Sequence, residues 1–218
     1  MKTFRVLTEF KTALLLTVVF TLLLCGVYPV AVWAGAQAFF RDKANGSLIL
    51  DTDGTVRGSA LLAQNFASPG TFHPRPSAAG SGFDPTASSG TNLGPTSAKL
   101  ANGIHAKDAS GRYVNDLGNF DGIKDLVAAY RAENGLSPNQ PVPADAVTRS
   151  ASGLDPHISP ENARLQAPRV AKARNLSLEK VLAAVDEATA PRDLGVFGEP
   201  RVNVLLLNRA LDRAQTGK

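Results

Sequence analysis

Cysteine is almost missing from this chain: Cys25 is its one thiol, and it lies inside an apolar run. Outside that run no disulfide can form, so the remainder must hold itself together by packing. Histidine is scarce as well. His73, His105 and His157 lie in separate segments without cysteine partners or H-x3-H spacing, which leaves no metal motif legible in the sequence. The charge is modest, with 23 Lys plus Arg against 19 Asp plus Glu and a formal net charge of +4. It is spread along 218 residues without a polybasic block, so a nucleic-acid partner is not expected. No G-x-S-x-G elbow surrounds any serine, and the one Gly-Lys pair, Gly217-Lys218, is not part of a Walker A loop.

What is present is a long apolar stretch, Thr12 to Trp33, with no charged side chain between Lys11 and Arg41. It exceeds the roughly 20 residues that a helix needs to cross a hydrocarbon core. Scattered threonines do not make the polar face of a soluble core helix. Ala34-Gly35-Ala36 has the small residues of a signal cleavage site, but the apolar run is longer than the 7 to 15 residues or so of a signal core, which favours a retained anchor. Tyr28 and Trp33 sit near the interfacial end, and Pro29 is read as lying in the last turns. Lys2, Arg5 and Lys11 against Glu9 place the N-terminus in the cytoplasm by the positive-inside rule. The expected organisation is a cytoplasmic tail over 1–11, a transmembrane helix over 12–34 and one exported (periplasmic) domain over 35–218. Within the span, Thr17, Thr21, Gly26 and Ala31 are the small and hydroxyl residues that would pack against other helices in lipid.

Beyond the anchor, Gln37 to Lys43 reads as a junction. Ser47 to Leu50 and Thr55 to Arg57 flank Asp53-Gly54, a hairpin with a two-residue turn. The string Asp51-Thr52-Asp53-Gly54-Thr55 echoes a P-type phosphorylation loop and a calcium loop. The lysine is missing, and the glycine comes too early for an EF-hand, so the hairpin explains it better. Leu61, Leu62 and Phe66 are expected inside. Over 68–97 about half of the residues are Gly, Pro or Ser, either a flexible linker or an ordered, loop-rich surface.

Helical spacing then takes over. Phe120, Ile123, Leu126, Val127 and Tyr130 predict an amphipathic helix stopped at Gly135, and Ala144 to Arg149 a short helical turn. Ser159-Pro160-Glu161 starts another helix, which Pro168 should kink or split. Further helices follow Ser177 and Asn203. Arg164, Arg169, Lys172 and Arg174 form a basic run whose default reading is a solvated face, with docking of an acidic partner as the sharper one. Ser152, Asp155 and His157 have the residue types of a nucleophilic triad, the basis of an alternative reading as an anchored exported hydrolase. Their place in one tight Gly-Leu-Asp-Pro turn favours local caps and turn bonds instead. The fold class read from these segments is α+β, a single transmembrane helix followed by a mixed helix/strand domain rich in loops.

In order, the segments resemble the small C subunit of Kdp-type potassium-transporting ATPases. The residues that carry the likeness are Gly58-Ser59 with Gln64-Asn65-Phe66, Phe72-His73-Pro74-Arg75-Pro76-Ser77, and Ser89-Gly90-Thr91-Asn92-Leu93-Gly94-Pro95. To these add Ser150 to Pro160 (SASGLDPHISP), Gln166, Arg169-Val170-Ala171, Arg174, and Gly198 to Leu205 with Leu207-Asn208. The stretch from Ala101 to Asn119 and Pro168 are less typical of the family. The resemblance implies a non-catalytic subunit of a four-part complex in the bacterial inner membrane. Its partners would be a channel-like potassium-binding subunit, a P-type ATPase subunit and a very small single-span subunit, together with membrane lipid. The family is described as a catalytic chaperone that raises the ATPase subunit's affinity for ATP. ATP would be held by that partner, potassium would be the transported ion, and no catalytic, metal or cofactor-binding residue is expected here. Arg75, Asn92, Ser152, Asp155, His157, Arg169 and Asn203 are the candidate structural or partner-contact residues.

Overall fold

The computed structural model describes residues 2–51, 53–105 and 119–216, with side chains over 6–51, 53–105 and 119–215. Thr52, most of the stretch from Ala101 to Asn119, and Gly217-Lys218 therefore lie outside the described residues in whole or in part. The chain divides into two compact units, 1–59 and 60–218.

The first unit is dominated by a continuous helical rod. Helix α1 (Lys2–Leu22) passes through a π-helical turn (Leu23–Val27) into α2 (Tyr28–Phe39). Val6–Phe39 is long and apolar enough to cross a membrane, and its side chains are unburied within the chain. The π turn has a local cause. Pro29 has no N–H for the Cys25 carbonyl and its ring crowds that group, so the preceding turn widens until Tyr28 N–H reaches Leu23 O. Pro29 therefore sits near the start of α2, about three turns before its end, and not in the last turns as the sequence suggests. The expected junction is also helical: α2 runs to Phe39, and α3 (Arg41–Ala44) follows.

Strands β1 (Leu48–Leu50) and β2 (Val56–Ser59) then form an antiparallel hairpin with an irregularity between Ile49 and Leu50. The connection is longer than the two residues expected. Asp51 N–H donates to Thr55 O at 2.9 Å, Gly54 takes φ +81°, and Asp53 Oδ1 accepts from Thr55 N at 2.9 Å.

The second unit is α+β. Helices α4 (Ala98–Asn102), α5 (Ile123–Asn134) and α6 (Ala144–Val147) precede β3 (His157–Ile158). Then come α7 (Pro160–Arg174), α8 (Leu178–Glu187), β4 (Thr189–Ala190), β5 (Arg201–Asn203) and α9 (Val204–Thr216). The sheet order is β3-β5-β4, antiparallel throughout, with His157 opposite Asn203 and Ile158 opposite Val202.

Sequence capping signals operate as read. Ser159 Oγ accepts from Asn162 N at 3.1 Å and Ser177 Oγ from Lys180 N at 3.3 Å, each satisfying a first-turn donor. Gly135 stops α5 in the left-handed conformation at φ +64°. Phe120 lies outside α5, paired with Ile104 in an isolated bridge. Pro168 does not split α7, which continues through it to Arg174.

The main core joins Phe72, Ile158, Ala163, Ala167, Val170, Val181, Val185, Val202, Val204, Leu207 and Leu211. Each fully buried Leu or Val there contributes about 1.5–3 kcal/mol relative to exposure. A smaller cluster gathers Tyr130, Ala146 and Val147 with Ile123, Leu126 and Val127. Leu61 and Leu62 do not pack inward. They are exposed, and Ala63 is the buried residue of that segment, its N–H donating to Leu154 O at 2.9 Å.

Candidate functional site

The Gly/Pro/Ser-rich segment is an ordered surface fastened to α7, α9 and the 150–157 turn. Phe72 enters the core fully buried, where Asn208 clamps its backbone: Phe72 N donates to Asn208 Oδ1 at 2.7 Å and Asn208 Nδ2 donates to Phe72 O at 2.9 Å. The backbone groups inside α7 and α9 are already paired within their helices, so side-chain amides from these helices take the place of a sheet ladder for the loop.

Gln166 repeats the arrangement on α7. It is 1% exposed. Its Oε1 accepts from His73 N at 2.7 Å and from Arg169 Nη2 at 2.9 Å, while its Nε2 donates to His73 O at 3.1 Å and Asn162 Oδ1 at 2.9 Å. Arg169 adds Nη1 bonds to Pro69 O at 2.7 Å and Thr71 O at 3.0 Å, and Nε donates to Asn134 Oδ1 at 3.0 Å. Burial lowers the Arg169 pKa and also that of His73, whose Nδ1 lies 2.9 Å from Glu133 Oε1. Arg174 donates to Gly70 O and pairs with Asp212 Oδ1 at 2.7 Å. The basic run on α7 is thus a solvated face only in part, at the exposed Arg164 and Lys172. Arg169 and Arg174 are spent on the loop, and Arg164 pairs at the surface with Asp186 Oδ1 at 2.8 Å.

Behind Gln166 the network continues through Asn162 and Asp145, which the sequence reading did not single out. Asn162 is 1% exposed. It accepts from Tyr130 Oη at 2.8 Å and donates to Asp145 Oδ2 at 2.9 Å. Asp145 also accepts from Ser159 N at 2.7 Å and Ser159 Oγ at 2.9 Å. Burial pushes the Tyr130 hydroxyl up, keeping it a neutral donor. For Gln166 the available signal was a polar residue between Leu165 and Ala167 within a helix, since buried amides demand partners, whereas Asn162, beside Glu161, carried no such signal.

The Ser150–Pro160 turn holds the second cluster. Arg75 Nη1 donates to Asp155 Oδ2 at 2.9 Å and Arg75 Nε to Thr148 O at 3.3 Å. Asp155 Oδ1 accepts from His157 N at 3.0 Å and lies 3.5 Å from His157 Nδ1. Partial burial pushes this carboxyl up, but the bonds from His157 and Arg75 outweigh it and hold the pKa below the usual value. Ser152 Oγ accepts from Leu154 N at 3.1 Å and lies 3.3 Å from Ser150 Oγ. Its backbone carbonyl accepts from Ser89 N at 3.0 Å and Ser88 Oγ at 2.9 Å. Gly153 sits at φ +68°, and an added Cβ would come within 2.6 Å of Ser89 O and 2.7 Å of Ala79 N. Only glycine fits this crossing of two loops.

The expected site residues thus fall in separate places. Arg75, Asp155 and His157 meet in one cluster with Ser152 in the adjoining turn, and Arg169 belongs to the α7 network. Asn203 caps α9, accepting from Leu206 N at 3.1 Å and donating to Ala60 O at 2.8 Å. Asn92 is exposed at φ +53°, a left-handed conformation that asparagine tolerates. In the first unit, Thr17 Oγ1 donates to Ala13 O at 2.8 Å and Gly26 lies in the π turn with open space around its Cβ position. Thr21 and Ala31 lie on α1 and α2.

Known proteins match this amino-acid sequence along most of its length. The chain is 52% identical over 207 residues to the potassium-transporting ATPase KdpC subunit of Myxococcus xanthus, covering 94% of this chain and 88% of the relative. It is 50% identical over 206 residues to the subunit of the same name from Caulobacter vibrioides, covering 94% and 93%. It is 49% identical over 201 residues to that of Mycobacterium tuberculosis, covering 92% and 96%. The family model described as K+-transporting ATPase, c chain, matches residues 10–213, and the chain belongs to this KdpC family.

Proposed function

We propose that this chain is a non-catalytic subunit of a high-affinity, ATP-driven potassium uptake complex in the bacterial inner membrane. It crosses the membrane once with its N-terminus in the cytoplasm and its domain on the periplasmic side. The observation that carries the reading is the unburied apolar helix Val6–Phe39. Among the described residues none buries that surface, and lipid and partner helices are the surroundings that suit it.

The helix joins the channel-like subunit, the P-type ATPase subunit and the very small single-span subunit, and the domain stabilises their assembly and coupling. Thr17 and Thr21 share a face at i, i+4, and the π turn, with its i→i+5 bonding, carries Gly26 back towards that face. With Ala31 they offer the close approach that helix packing in lipid favours. Arg75, Asp155, His157, Arg169 and Asn203 hold the domain's loops in one shape, so their role is to present a surface. Asn92 belongs to that surface.

The hydrolase alternative draws no support from the geometry. Ser152 bonds Leu154 N and Ser150 Oγ, while His157 faces Asp155. With the domain outside and ATP inside, any rise in the ATPase subunit's affinity for ATP would be transmitted through the partner subunits rather than by a nucleotide site here. The test is topological and functional. A reporter phosphatase that matures only outside the inner membrane, fused after Lys218, should be active. Truncation after Ser59 should abolish growth at micromolar potassium. An inactive fusion that is active when its cytoplasmic counterpart is used, or normal growth of the truncated strain, would overturn the proposal.

A further inference from the structure

Three side chains from two segments of the chain converge beside the start of α5. One ligand atom each of His105, Asp121 and Asp125 lies within 4.8 Å of the others. His105 Nε2 stands 2.9 Å from Asp125 Oδ2. The backbone brings them together. Ile104 and Phe120 pair antiparallel, with N–H···O distances of 2.8 and 2.9 Å, which sets His105 and Asp121 next to the same bridge. Asp125 follows in the first turn of α5, where its Oδ2 also accepts from Gly122 N at 2.9 Å.

Two glycines keep the space clear. A Cβ on Gly103, at φ +78°, would lie 2.5 Å from Asp125 Oδ2 and 2.7 Å from His105 Nε2, and one on Gly122 would lie 2.2 Å from Gly103 N. A side chain at Gly103 would collide with two of the ligands, and one at Gly122 with the 102–103 backbone that leads to His105.

From this geometry we propose that His105, Asp121 and Asp125 form a site for a first-row divalent transition-metal cation of the Zn2+ type. One imidazole and two carboxylates are a three-ligand donor set that leaves room for water, as open zinc sites do. The imidazole favours transition metals over Mg2+ and Ca2+, which take oxygen ligands. Metal–ligand bonds of about 2.0–2.2 Å need ligand atoms roughly 3–4 Å apart. His105 and Asp121 are exposed and Asp125 half-buried, so small side-chain rotations close the remaining gap. His105 ligates through Nε2 as neutral imidazole, giving up its bond to Asp125.

Positive neighbours oppose the ion. Arg149 bonds Asp121 O at 3.2 Å and lies over the Phe120 ring at 4.5 Å, with Lys99 5.2 Å from the same ring. The expected affinity is therefore micromolar rather than that of a closed structural site. A bound ion would pin the segment before α5 to its first turn. This inference is independent of the transport role.

The test is calorimetric titration of the full-length chain in detergent with ZnCl2, alongside Asp121→Asn and His105→Gln. Asp125 is spared because it caps α5, and Asp186→Asn serves as a remote control. The proposal expects one equivalent of Zn2+ to bind, with each ligand variant losing affinity on the order of tenfold or more and the control unchanged. Co2+ loaded in place of Zn2+ should show visible absorption bands that His105→Gln abolishes, with circular dichroism verifying that each variant is folded. Absence of saturable binding, or wild-type affinity in folded Asp121→Asn, would overturn the site.

Discussion

Replacing Gln166 with leucine tests whether the α7 amide holds the 69–75 loop in place. The side chains are of similar size, so the change removes polarity with little change of volume. Four hydrogen bonds go at once: those with His73 N, His73 O, Arg169 and Asn162. An unsatisfied buried group costs about 1–3 kcal/mol, more when the partner is charged. The neighbours differ in their remaining options. Asn162 keeps Tyr130 and Asp145, and Arg169 keeps Asn134 and two carbonyls, so the loss falls mainly on the half-buried His73 amide. Two orphaned backbone groups give roughly 3–4 kcal/mol, a large part of the 5–15 kcal/mol typical of a domain. At about 2–4 °C per kcal/mol for a chain of this size, Tm should fall by on the order of 6–15 °C. The assay is thermal unfolding of the full-length chain in detergent by circular dichroism, with hydrogen exchange at the His73 amide as the local readout. Gln166→Glu keeps the acceptor for His73 N and Arg169, and should recover part of the exchange protection. An unchanged Tm together with unchanged His73 protection in Gln166→Leu would refute the reasoning.

The acid dependence of stability should carry a contribution from Asp155. Its folded pKa is lowered from an unfolded value near 3.8, so the unfolded chain takes up the proton first. The stabilisation is full above about pH 4 and is lost as pH falls through the folded value. Denaturation midpoints of wild type and Asp155→Asn should therefore differ at pH 6 and draw together as pH falls below the folded value, and a constant difference would contradict the assignment. Gly153→Ala should be more damaging than a surface substitution, because the left-handed φ and the contacts with Ser89 and Ala79 both resist a Cβ. A loss of at least about 2 kcal/mol is expected, together with faster proteolysis over 77–90, and a neutral result in guanidinium unfolding would show that the loop crossing relaxes freely.

How much of this was legible in advance depended on the range of the interaction. The apolar run announced a helix able to span a membrane, because a charge-free stretch that long has few other stable settings. Ser159, Ser177 and Gly135 marked helix ends, because a capping hydroxyl or a left-handed glycine acts within three or four residues of chain. The string from Ser150 to Pro160 and its companions identified the family. Local reading failed where a distant group decided the outcome. Leu61 and Leu62 stayed outside while Ala63 went in, its N–H bonded to the distant Leu154 O. Whether 68–97 was linker or ordered surface turned on Gln166 and Asn208, roughly 90 to 140 residues away in sequence, whose amides pair the loop's backbone. The meeting of His105 with Asp121 and Asp125 likewise rests on a bridge that no spacing rule announces. Periodicity, caps and charge asymmetry were thus fixed by neighbouring residues, while the partners of buried polar groups were chosen only when the chain closed on itself. A hydrogen bond needs its two atoms within about 3 Å, and that proximity is a property of the packed fold.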